Sequence, residues 1–153
     1  MDKARVVAKL NQAISLELCG LLQYNQYAHV LLGPERKVWH SFFKETADEA
    51  LSHARKFASR VVALGGVPSV EPDPVKQTND LMEMLRNSLE LERRAVELYN
   101  EALTLVQDNT AYRNLLEEQV EMETEDVEEL EKYLDQIQKV GAGASGKRAT
   151  KTA

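Results

Sequence analysis

Four times along this chain, apolar residues recur at alternating steps of four and three, the spacing that keeps one face of an α-helix turned inward. The first run reads Leu10, Ile14, Glu17, Leu21, Tyr24, Ala28, Leu31, and the second Trp39, Phe43, Thr46, Ala50, His53, Phe57, Arg60 or Val61, Leu64. The third reads Leu85, Leu89, Glu92, Val96, Tyr99, Leu103, Val106, and the fourth Tyr112, Leu116, Val120, Glu123, Val127, Leu130, Leu134, Ile137. Each stripe is apolar except near its middle, where three carry a glutamate and the second a histidine. A buried carboxylate without a partner is expensive. Three of them in one bundle demand a shared counter-charge, and a metal ion is the candidate.

The helix breakers agree with this reading. All four prolines, and every glycine but Gly20, fall at 33–34, 65–74 and 141–146. Long unbroken segments remain, which favours helices over roughly 3–32, 35–64, a third ending near 107, and 110–139. Asn109 or Thr110 is a plausible cap for the last. The Gly33–Pro34 turn joins the first two helices, and Glu17 and Ala50 each lie sixteen residues from it. Glu92 lies sixteen before Asp108, and Glu123 with Asp126 brackets the matching level after Asn109. At 1.5 Å per residue, each hairpin sets its polar groups at one height, about 24 Å from its turn. The hairpins are weakly repeated, since Glu17 with Tyr24-Asn25 returns as Glu92 with Tyr99-Asn100. Between them, residues 65–78 could span about 46 Å when extended, enough for a crossover along the bundle. Alternatively, Asp73-Pro74 could start the third helix early.

The formal net charge of −6 argues against a body that grips nucleic acid and suits attraction of cations. Cys19 is the only cysteine, so no intrachain disulfide forms and a reducing cytoplasm is the default. No signal peptide is visible after Lys3 and Arg5, and no stretch approaches the ~20 apolar residues of a membrane span.

Several stretches now carry a family resemblance: LNQAISLEL and QY in the first helix, DEALSHA followed by LGGVP in the second, MLRNSLELE in the third, and LEKYLDQIQKVG closing the fourth. Over nearly the whole chain up to about 141, the sequence resembles the bacterioferritins and their ferritin-like di-iron carboxylate relatives. The resemblance implies an all-α, ferritin-like four-helix bundle of two antiparallel hairpins joined by a long crossover. In that family, a glutamate from each of two helices and a Glu-x-x-His from each of the other two hold two iron ions. Carried over, these fall on Glu17, Glu92, His53 and Glu123. Ala50 stands where the second helix's glutamate is expected, and Asp126 stands where the second histidine is expected. Asp126 keeps an oxygen ligand with shorter reach. Ala50 coordinates nothing, and Glu49, one position away and four before His53, is the auxiliary ligand. Family haem is held through a methionine two residues before the histidine. Leu51 occupies that place, so haem is not expected. The family's fifth helix is absent. Residues 141–153, GAGASGKRATKTA, read as a flexible tail carrying +3, after a body at 1–140 carrying −9.

The resemblance thus implies iron storage and detoxification. Ferrous iron would be oxidised by dioxygen or peroxide at a mono- or dinuclear intrabundle site, with ferroxidase activity impaired by Ala50 and Asp126. The product would be deposited inside a closed homo-oligomeric cage of about 12 or 24 subunits. The alternatives are a ferroxidase-deficient structural subunit, mixed with an active paralogue, and a miniferritin-like shell protecting DNA through the basic tail. A di-metal enzyme acting on an organic substrate ranks last. Blander roles fit the remaining residues. Tyr24 and Tyr99 orient ligands or simply pack, Trp39 and Cys19 pack, and His29 and His40 lie at the surface. The acidic run from Glu117 to Glu131 is mostly a solvated face.

Overall fold

The structure, a computed structural model, describes the backbone of residues 1–148 and the side chains of 1–139. The described residues form four helices: α1 (Lys3–Val30), α2 (Arg36–Ala63), α3 (Leu81–Thr104) and α4 (Thr110–Arg148). Local chemistry sets their ends. The Asp2 side chain accepts from the Ala4 and Arg5 amides, and Asp80 accepts from Glu83 N. Asn109 caps α4 through Tyr112 N, as the sequence suggested. At the end of α2, Gly65 takes φ 83°, and the amides of Gly65 and Gly66 turn back onto Val62 O and Val61 O. This pairing needs a residue free to adopt a left-handed backbone. Gly33 is also left-handed, at φ 105°, and its carbonyl accepts from Arg36 N in the α1–α2 turn.

The direction of each helix follows from long-range contacts. Tyr27 meets Asn87, Lys9 meets Glu101 and the N-terminus meets Asp108, so α3 runs antiparallel to α1. Trp39 packs on Tyr133, and Arg60 lies over the Tyr112 ring, so α4 runs antiparallel to α2. The order is up, down, down, up. Such an order requires the α2–α3 connection to travel the length of the bundle.

Residues 64–80 make that journey along α1. Asn11 binds Val67 O and Ser69 N, Ser15 O accepts from Asp73 N, Cys19 Sγ donates to Pro74 O, and Gln23 Oε1 accepts from Lys76 N. Tyr27 then donates to Lys76 O. The crossover is realised, and no helix starts at Pro74. Side chains of α1, together with the Ser15 carbonyl, satisfy the extended backbone at steps of roughly one helical turn.

Of the stripe residues, Leu10, Ile14, Phe43, Phe57, Leu85, Tyr99, Leu116 and Leu130 are buried. An aromatic cluster of Trp39, Phe42, Phe43 and Tyr133 closes one end. α4 runs to Arg148, past the 139 that the periodicity suggests. Extending an existing helix needs no new nucleus, and Ala142 and Ala144 favour it with no proline to stop it. Residues 149–153, with Lys151, lie outside the described residues.

Candidate metal centre

The four helices bring Glu17, His53, Glu92 and Glu123 together at mid-height, and all four side chains are buried. His53 Nδ1 lies 3.0 Å from Glu123 Oε1 and 3.3 Å from Glu17 Oε1. One imidazole on α2 therefore links a carboxylate on α1 to one on α4. Glu92 of α3 completes the ring beside Glu123. No lysine or arginine forms an ion pair with any of these groups among the described residues.

Each tyrosine serves the opposite hairpin. Tyr24, on α1, donates to Glu92 on α3, and Tyr99, on α3, donates to Glu17 on α1. The sequence had placed each tyrosine two turns from the glutamate of its own helix. The structure shows a reciprocal exchange between hairpins, related by an approximate twofold axis through the site. Burial lifts both phenols well above their ordinary range, and the neighbouring carboxylates add to it, so both tyrosines are hydrogen-bond donors here.

The carboxylates are crowded as well as buried. Burial raises Glu17 to about 7, against the pull of His53, and nearby Glu123 adds to the rise. Glu92 is likewise raised well above its ordinary value, by burial and then by Glu123. Burial alone would lower His53, but its hydrogen bonds to Glu123 and Glu17 outweigh this and raise it to about 10. The site is thus short of positive charge and recruits protons to supply it.

The other sequence candidates stand at the edge. Ala50 is buried and lines the cavity, offering no donor atom. Glu49 is exposed at its rim and Asp126 half-buried there. Asp126 is raised to about 6, by burial and then by Glu123 and Glu49. The cavity measures about 20 Å³, room for roughly one water or one ion.

Glu17, His53 and Glu123 each present a ligand atom, and these atoms lie within 4.8 Å of one another. Donors that bind one metal at about 2.0–2.2 Å can be no farther apart than roughly 4.4 Å, so small rotations suffice for the three to converge. Two carboxylates and an imidazole, buried without a cationic side chain, suit iron and similar divalent ions.

Elsewhere, His29 and His40 turn Nδ1 to the carbonyls of Asn25 and Ala28, with their rings 5.6 Å apart. Cys19 is buried under the crossover. Two buried glutamines escaped sequence reading. Gln23 pins the crossover, and Gln119 lies one turn before Glu123 with Nε2 directed at Met122 Sδ. A glutamine next to a stripe is the only sequence signal for either.

Among solved structures, the chain is similar to a protein described as a ferritin-like, diiron-carboxylate protein from Bacillus anthracis str. Ames. The two are 28% identical, the match covers 88% of this chain and 98% of that one, and the TM-score is 0.84. The family model for the ferritin-like domain matches residues 7–140, so this chain belongs to the ferritin-like family.

Proposed function

We propose that the protein binds ferrous iron at mid-bundle, oxidises it there, and stores the ferric product within a closed shell of its own copies. The observation that carries this reading is the His53 imidazole set between Glu17 and Glu123, buried and drawn from three helices. Glu17, His53 and Glu123 hold the incoming ion, and Glu92 adds a fourth group beside it. Glu49 and Asp126 stand at the mouth, where an acidic rim attracts cations. Each ferrous ion gives up one electron, and dioxygen or peroxide takes up electrons and protons and leaves as water. Tyr24 and Tyr99 keep Glu92 and Glu17 in place, and the buried surroundings admit little bulk water. The similarity to a described diiron-carboxylate protein supports iron as the metal.

Assembly is part of the proposal. Leu22, Leu32, Val38, Val62, Val67 and Val70 are exposed on the isolated subunit at separate places along the bundle, and contacts between copies would cover such residues. We place the protein in the cytoplasm, where the single buried thiol stays reduced. No helix among the described residues is long and apolar enough to cross a membrane.

The test is aerobic oxidation of ferrous iron by metal-free protein, followed by ferric absorption, against buffer, His53→Ala and Glu17→Ala. Oxidation faster than buffer and lost in both variants supports the proposal, and a rate equal to buffer refutes the oxidation step. A second reading, a structural subunit that only builds the shell, is favoured by Ala50 in the cavity wall. It predicts the buffer rate together with an intact oligomer by native mass spectrometry. The cavity of about 20 Å³ leaves no room for an organic substrate, which disfavours a di-metal enzyme. A gel shift with and without residues 141–153 tests DNA protection.

A further inference from the structure

We infer that the centre is a one-metal site: Glu17, His53 and Glu123 hold a single divalent ion per subunit, and the position for a second ion has lost its ligands. The inference rests on the metal-binding reading above and concerns its stoichiometry.

The approximate twofold axis makes the case. It exchanges α1 with α3 and α2 with α4, as the reciprocal bonds Tyr24 to Glu92 and Tyr99 to Glu17 show. Spacing along the chain agrees. Glu17 precedes Tyr24 by seven residues and Glu92 precedes Tyr99 by seven, while Ala50 precedes His53 by three and Glu123 precedes Asp126 by three. The axis therefore carries Glu17, His53 and Glu123 onto Glu92, Asp126 and Ala50. The first set is complete: three donor atoms mutually within 4.8 Å, all on buried side chains. Its image is not. Ala50 ends at Cβ and has no lone pair to give. Asp126 is half-buried at the mouth, and neither it nor Glu92 belongs to any group of three converging donors among the described residues.

Neighbouring groups do not repair the loss. Glu49 is exposed and also falls outside any converging group. The helices pack closely here, since a Cβ built on Gly20 would lie 3.5 Å from Ala50 Cβ and 3.4 Å from Leu91 Cδ2. The scaffold has kept its symmetry while the ligand set has become one-sided.

The experiment is an anaerobic titration of full-length, metal-free protein with Co(II), read by visible absorption, with Mn(II) electron paramagnetic resonance alongside. The expected result is a break at one Co(II) per subunit and a Mn(II) spectrum without exchange coupling. Ala50→Glu, which restores a donor to the incomplete set, should move the break to two. A wild-type break at two, or an exchange-coupled Mn(II) pair, overturns the one-metal inference and leaves the metal-binding reading standing. No break at all overturns both. A folded Ala50→Glu protein that still stops at one overturns the assignment of the loss to position 50. If that variant does not fold, the wild-type break and the Mn(II) spectrum decide the question.

Discussion

Tyr99 and Glu17 lie 82 residues apart in the chain and on different hairpins, yet the tyrosine hydroxyl donates directly to the glutamate's carboxyl group inside the bundle. Removing that hydroxyl leaves a buried carboxyl group with one partner fewer. Tyr99→Phe should cost about 1–3 kcal/mol of stability by thermal melting. It should also weaken Co(II) binding about tenfold, because Glu17 loses the group that orients it. Tyr24→Phe is the informative comparison. It removes the matching bond to Glu92, so the stability loss should be similar. The effect on Co(II) should be much smaller, because Glu92 lies outside the converging set. Equal losses of affinity in the two variants would contradict the one-sided site.

The charge balance at the centre makes stability depend on pH, and the sign follows from the direction of each shift. Glu17 rises from 4.5 to about 7 and Asp126 from 3.8 to about 6. A raised carboxyl contributes stability that is complete below its unfolded value and lost as pH climbs through its folded value. His53, raised from 6.5 to about 10, behaves in the same direction over a higher window. Metal-free protein should therefore melt at falling temperature between about pH 5 and 8, and Glu17→Gln should flatten that slope. Bound Co(II) replaces the protons as counter-charge, so the melting temperature it adds should grow over the same range. A metal increment independent of pH would show that the buried carboxylates are not what the ion neutralises.

His53 is the only cationic partner of Glu17 and Glu123 among the described residues. Taking away one member of a buried ion pair strands the others in a low-dielectric interior. In metal-free protein near pH 8, His53→Ala should cost about 3 kcal/mol. The cost should shrink toward pH 5, where Glu17 can hold a proton of its own. Denaturant melts at the two pH values check this. An equal cost at both would mean that the imidazole acts through packing.

Much of this architecture was legible in the sequence because helix periodicity is local. Stripes with a polar centre fixed the four helices, their pairing and the height of Glu17, His53, Glu92 and Glu123. What periodicity supplies is position along a helix, and it says little about which facing helix a side chain reaches. Tyr24 and Tyr99 therefore had no assigned partners, and their exchange between hairpins appeared only when both hairpins were in place. The crossover was ambiguous for a similar reason. Pro74 can begin a helix, and what holds residues 64–80 extended is a set of remote partners on α1, from Asn11 to Tyr27. α4 runs past residue 139 because glycine lowers helix propensity without forbidding a helix that is already running. Ala50 and Asp126 were visible as departures from a family pattern. Their consequence needed the twofold axis, which pairs the intact half of the site with the depleted one.

The start of the crossover gives a test that is independent of metal. Gly66 follows the left-handed Gly65, and a Cβ placed on it would meet Val7 Cγ1 at 2.6 Å and Val61 Cγ1 at 3.0 Å. The contact with Val7 is closer than carbon atoms tolerate, so the crossover can leave α2 in this direction only if residue 66 has no side chain or Val7 withdraws. Gly66→Ala should therefore destabilise the protein by about 1–3 kcal/mol through overpacking, even though alanine leaves the unfolded chain less conformational freedom than glycine and so offsets part of the loss. Val7→Ala opens space on the α1 side. The double variant should recover at least half of the Gly66→Ala loss, a coupling of about 1 kcal/mol in a double-mutant cycle. Additive losses would place the strain on the Val61 side, and the companion variant Val61→Ala would then give the larger recovery.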